Sequence, residues 1–122
     1  MRKPAKFLTT ASAILMLSGA AMIAPTAAMA VDAELAAKGK KIAENRKKGN
    51  CFTCHAYKGA HLAGNIGPAL NGVSKRKSRQ EIYDQIYDAT KANPYSAMPP
   101  FGKYEILSKD EINALTEWVL TL

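Results

Sequence analysis

The run Cys51-Phe52-Thr53-Cys54-His55 decides how the rest of this chain is read. A C-x-x-C-H spacing puts two thiols on one tight turn with a histidine directly behind them, the pattern for attaching a c-type haem. The thiols of Cys51 and Cys54 would add across the two vinyl groups, and the His55 imidazole would be aimed at the iron as an axial ligand. Three other chemistries compete for the same residues. A disulfide between cysteines two residues apart would close only a tiny loop and stabilise little. A thioredoxin-like dithiol wants a βαβ pattern, which this chain lacks. A zinc site from Cys51, Cys54, His55 and His61 would make the adjacent pair Cys54 and His55 share one tetrahedral ion, which the usual ligand spacing avoids. Covalent haem is the reading that fits.

Upstream of the motif, residues 1–30 read as an export signal. Arg2, Lys3 and Lys6 form a basic start, Ile14-Leu15-Met16-Leu17 through Ile23 an apolar centre, and Ala28-Met29-Ala30 a small-residue cleavage site. The apolar run is broken by Ser18, Gly19 and Pro25 and is short for a membrane span. With no cysteine near the cleavage site to carry a lipid, the expectation is a periplasmic protein with no anchor in its mature form, residues 31–122.

Those 92 residues make one domain. A chain of that size buries only about 60–65% of its unfolded surface, so a central apolar plate such as haem would add to a light core. The mature part keeps 14 of the 17 Lys and Arg against all 10 acids, leaving +4. Two ionised propionates would lower that to about +2. This is a mildly basic protein and not a nucleic-acid binder.

In chain order, residues 32 to about 48 read as a helix rich in Ala, Lys and Glu, with Leu35, Ala36, Gly39, Ile42 and Ala43 as its apolar stripe. Gly39 costs about 1 kcal/mol against Ala inside a helix, so it calls for a close crossing with an aromatic above it. Trp118, in the last helix, is the aromatic expected there. Residues 56–73 read as a glycine-rich loop. Within it Pro68 offers a carbonyl to receive the second ring N–H of His55, the kind of bond that fixes a ligand's tautomer. His61, six residues after His55, is too near to reach the opposite haem face and reads as a solvated loop residue. The run Lys75-Arg76-Lys77-Ser78-Arg79 reads as a solvated helix entrance, with a docking patch for an acidic partner as the alternative.

Ser78-Arg79-Gln80-Glu81 is a capping box that opens a helix to about Ala89, with Ile82, Ile86 and Ala89 on one stripe and Tyr83 and Tyr87 beside it. Asn93-Pro94 stops it. Met98 follows, the one methionine outside the signal, on the run Met98-Pro99-Pro100-Phe101. Two prolines stiffen that path, and a thioether there suits the sixth iron ligand, opposite His55. A second box, Ser108-Lys109-Asp110-Glu111, opens the last helix, whose apolar face is Ile112, Leu115, Val119 and Leu122. No strand of any weight appears. The expected fold is all-α, three to four helices around one haem.

The order helix, C-x-x-C-H, Gly-Pro-x-Leu, helix, Met loop and helix resembles a class I cytochrome c over the whole mature chain. Gly64-Asn65-Ile66-Gly67-Pro68-Ala69-Leu70, Gln85-Ile86-Tyr87-Asp88-Ala89-Thr90-Lys91, Asn93-Pro94, Met98-Pro99-Pro100-Phe101-Gly102 and Ile106-Leu107 are similar to the SoxX subunits of bacterial sulfur oxidation. Lys103-Tyr104 departs from the Arg-His that such sequences tend to carry after the glycine.

The resemblance implies a role beyond what spacing shows. SoxX-type cytochromes pair with a haem-bearing SoxA-like subunit, diheme or monohaem. Together they act as an L-cysteine S-thiosulfotransferase, joining thiosulfate oxidatively to a cysteine of a SoxY-like carrier. The catalytic haem belongs to SoxA; the SoxX-type haem accepts the electrons and hands them to a small downstream cytochrome c. The implied role is electron transfer within that enzyme, with no catalytic residue on this chain. A free periplasmic shuttle is the alternative, and a small haem enzyme that releases Met98 is a third.

Overall fold

The computed structural model describes residues 30–122; the export-signal reading falls on residues 1–30, all but the last of which lie outside the described part. Three α-helices, α1 (Ala33–Glu44), α2 (Arg79–Tyr87) and α3 (Lys109–Leu120), are joined by long connections carrying short 3-10 turns at Cys51–Thr53, Val73–Lys75 and Ala89–Lys91. No strand occurs among the described residues. The all-α expectation holds.

α1 starts where Asp32 caps it, the carboxylate accepting the Leu35 N–H at 2.9 Å, with Glu34 in the first turn on the favourable side of the helix dipole. It ends at Glu44, four residues short of the sequence expectation. The cause is Asn45, whose side chain accepts the Lys47 N–H at 2.9 Å and so offers the backbone an alternative to continued helix. Its own N–H returns to the Ile42 carbonyl at 3.2 Å, as does that of Gly49.

α3 is the spine. Ile112, Ala114, Leu115, Trp118 and Val119 are all buried, and a large aliphatic side chain placed so contributes about 1.5–3 kcal/mol. α1 and α2 both pack on it. At the α1–α3 crossing a Cβ on Gly39 would stand 1.9 Å from the Ala114 carbonyl oxygen and 2.9 Å from Trp118 Cβ. Gly39 is therefore required first by the Ala114 backbone, and Trp118 stands over it as expected, through its Cβ. The Trp118 ring turns instead to Tyr57, edge-on at 4.9 Å and 85°.

Both capping boxes form, Ser78 with Glu81 and Ser108 with Glu111. α2 ends at Tyr87, earlier than the expected Ala89, because Asp88 leaves helical geometry and caps the 3-10 turn beyond it. Ile82, Ile86 and Ala89 are buried as the stripe predicted, and Tyr83 and Tyr87 stack at 6.1 Å.

The basic run divides. Lys75, Arg76 and Lys77 are exposed, but Arg79 reaches inward and forms an ion pair with Glu117. The solvated reading fails for Arg79, because a carboxylate that is 3% exposed needs a cation beside it.

Candidate haem-binding site

The attachment turn is set by what precedes it. Asn50 sits in the left-handed region (φ 49°, ψ 36°), which swings the chain away from α1 and into the turn Cys51–Thr53. Asn50 Oδ1 accepts the Thr53 hydroxyl at 2.8 Å, and the His55 N–H bonds the Cys51 carbonyl at 2.9 Å. Both cysteines are free thiols and half-buried. Burial pushes the Cys51 thiol up to about 11, so in this folded form it is protonated at neutral pH.

The glycine-rich loop is laced onto that turn. Gly64 N–H donates to the Phe52 carbonyl at 2.8 Å, Gly67 N–H to Cys54 at 2.8 Å and Leu70 N–H to Ala56 at 2.9 Å. Such close lacing excludes side chains: a Cβ on Gly67 would lie 2.4 Å from His55 Cε1. The loop backbone thus lies flush against the imidazole. The next residue supplies its partner, with His55 Nδ1 2.7 Å from the Pro68 carbonyl oxygen. A carbonyl can only accept, so Nδ1 carries the proton and the Nε2 lone pair is left to face a metal.

Met98 comes from a different segment, half-buried and packed on the same core as Leu70, Phe52, Tyr83 and Tyr87. Its N–H bonds Ser96 Oγ at 3.2 Å, and Pro100 and Phe101 behind it are buried. These residues fit a haem. Two reduced thiols share one turn, one imidazole has its tautomer set by backbone, and a wall of apolar side chains is only partly covered by protein.

His61 is exposed. It lines a separate surface cavity of about 330 Å³ with Glu44, Arg46, Phe52, Tyr57 and Leu62, to which neither cysteine, His55 nor Met98 contributes. The Tyr57 hydroxyl is buried without a hydrogen-bond partner. Burial first, then the Glu44 carboxylate and the Cys51 thiol, push it up to about 12.

Sequence reading missed Asp88 and Glu117, both buried acids. For Asp88 a signal existed, since Asp88-Ala89-Thr90 has the spacing at which an aspartate side chain bonds backbone two residues on. Glu117 gave none beyond an acid within an apolar stripe.

A solved structure, "Crystal structure of SoxXA from P. pantotrophus", superposes with a TM-score of 0.63 at 20% identity, covering 70% of this chain and 79% of that one. At that identity the likeness concerns the fold. An "Uncharacterized lipoprotein" of Aquifex aeolicus (strain VF5) is 38% identical over 68 residues, which are 54% of this chain but 33% of the relative. The chain thus matches about a third of that relative's length. The profile of the family described as "Cytochrome C oxidase, cbb3-type, subunit III" matches residues 34–119. The chain belongs to that family and has the class I cytochrome c fold.

Proposed function

We propose that this chain carries one covalently attached haem c and serves as the electron-accepting subunit of a SoxAX-type thiosulfate-oxidising enzyme. In this reading Cys51 and Cys54 hold the porphyrin, His55 and Met98 are the axial ligands, and Pro68 orients His55. The haem supplies a one-electron ferric/ferrous couple. The observation that carries the electron-relay reading is the His55 Nδ1–Pro68 contact at 2.7 Å. It leaves Nε2 free to bind a metal, and the Met98 thioether would supply a second ligand. An iron held by both would have no open position for substrate, so the chemistry is assigned to another chain.

The sulfur chemistry balances with that division. At the partner's site the carrier's cysteine S–H and thiosulfate form an S–S bond and release one proton and two electrons, which this chain takes one at a time and passes downstream. The likeness to SoxXA in fold and the sequence segments around Pro68 and Met98 support a SoxA-like partner, a SoxY-like carrier reached through the complex and a small cytochrome downstream. Residues 1–30 are read as a cleaved export signal that delivers the chain to the periplasm.

Affinity purification of the tagged, exported holoprotein from its native cells tests the assignment. A stoichiometric haem-bearing companion that survives gel filtration is expected, and the complex should reduce its haem on addition of thiosulfate and carrier. Recovery of the cytochrome alone, with only transient partners, would instead establish the free shuttle.

A further inference from the structure

We propose that Asp88 is the clasp that closes the Met98 loop and thereby holds Met98 in place, a positioning role that rests on reading Met98 as an axial ligand. The chain leaves α2 at Tyr87 and comes back to the same point at Gly102 and Lys103. The Tyr87 carbonyl accepts both returning N–H groups, Gly102 at 3.0 Å and Lys103 at 3.1 Å. The returning backbone lies flush on the Tyr87 ring, since a Cβ on Gly102 would stand 2.1 Å from it.

Asp88 sits at that junction and is 5% exposed. Its two oxygens divide the work. Oδ1 accepts the N–H of Thr90 at 3.1 Å and the Thr90 hydroxyl, which anchors the outgoing limb. Oδ2 is 3.4 Å from the Lys103 ammonium, which anchors the returning limb. From the outgoing limb a series of local bonds leads to the ligand: Asn93 N–H to Ala89, Ser96 N–H to Asn93, and Met98 N–H to Ser96 Oγ. Pro99 and Pro100 fix φ on the far side. Met98 is therefore held at the end of two stiff limbs that meet at one carboxylate.

A buried carboxylate that loses its partners must seek water, so breaking the clasp favours opening of the loop as a unit. An added ligand reaches the iron only when Met98 has left, and its apparent affinity scales with the open fraction. If Asp88 does no more than cap the turn Ala89–Lys91, its loss lowers overall stability without selectively freeing Met98.

The test compares two lysine–carboxylate bridges whose lysines are similarly exposed. Lys103 pairs with Asp88 at 48% side-chain exposure, and Lys48 pairs with Glu111 at 45%. Ferric holoprotein of wild type, Lys103→Gln, Asp88→Asn, Lys48→Gln and Met98→Ala is titrated with imidazole and followed optically, with the thermal midpoint recorded for each. Lys103→Gln and Asp88→Asn are expected to bind imidazole about tenfold more tightly than wild type or better, as an open fraction raised by that factor requires. Lys48→Gln should match wild type whatever its midpoint. Equal affinities for Lys103→Gln, Asp88→Asn and Lys48→Gln overturn the clasp. Should Asp88→Asn fail to accumulate, Lys103→Gln decides alone. Wild type binding imidazole as tightly as Met98→Ala removes the Met98 reading, and the clasp with it.

Discussion

Arg79 and Glu117 form a two-pronged ion pair at the junction of the three helices. One guanidinium nitrogen meets Oε1, and the other is 3.0 Å from Oε2. The same Oε2 accepts the Asp32 N–H at 3.1 Å, so a single carboxylate on α3 holds the starts of α1 and α2.

Removing that carboxylate leaves a guanidinium and a backbone N–H without their acceptor. Glu117→Ala is expected to destabilise the holoprotein by about 3 kcal/mol, the order found when one partner of a buried pair is removed. For a domain this small that corresponds to a fall in thermal midpoint of more than about ten degrees. A change of only a degree or two would mean that the pair contributes little.

Gly39→Ala should destabilise even though Ala is the better helix former by about 1 kcal/mol. The new methyl would have to displace the Ala114 carbonyl that stands 1.9 Å away, and overpacking of this kind costs about 1–3 kcal/mol. A denaturant midpoint equal to or above wild type would contradict the crossing geometry.

Gly67→Ala and Pro68→Ala should part company. The first drives a methyl into the His55 ring, 2.4 Å from Cε1, and should disturb the low-spin spectrum of the haem protein. The second keeps the backbone carbonyl that accepts from Nδ1, so its spectrum should stay close to wild type. Identical spectra for both variants would detach the loop from His55.

Met98→Ala should leave the haem covalently bound on a denaturing gel but open the iron and lower its potential. A shift on the order of 100 mV is expected, within the roughly 0.8 V that axial ligation spans. An unchanged spectrum and potential would show that Met98 is not a ligand. By contrast, Cys51→Ala or Cys54→Ala should impair attachment itself.

Acid should weaken the fold through three carboxylates. The Lys48 ammonium and the Ser108 N–H hold Glu111 below the usual range. The Ser78 N–H and hydroxyl lower Glu81, and the Thr90 hydroxyl, with the Thr90 N–H and Lys103, lowers Asp88. A group lowered in the fold binds its proton more readily when unfolded. The stability it contributes is therefore present above the ordinary carboxylate pKa and lost as pH falls through the folded value. The thermal midpoint should drop below roughly pH 4, and Glu111→Gln should flatten part of that slope. A midpoint steady to about pH 3 would refute this account.

The sequence by itself determined the elements whose chemistry is local. Cys51 to His55 sit on consecutive residues. Each capping box needs only a serine and a glutamate three positions on, and both formed where they were expected. The Pro68 carbonyl was legible as the acceptor for His55 because the loop that follows offers it. Tertiary structure decided what depends on residues far apart in the chain. Arg79 and Glu117 are 38 positions apart, and Asp32 and Glu117 are 85. A charge reads as solvated until a distant partner is brought beside it in the interior. Gly39 followed the same rule: periodicity showed that something must pass close, and only the fold showed that it was the Ala114 backbone. The end of α1 was misread for the opposite reason, because Asn45 weakens a helix by local bonding that the run of good helix formers around it obscured. The C-x-x-C-H turn is thus a local inscription, while the clasp at Asp88 that holds Met98 exists only once α2 and the returning limb meet.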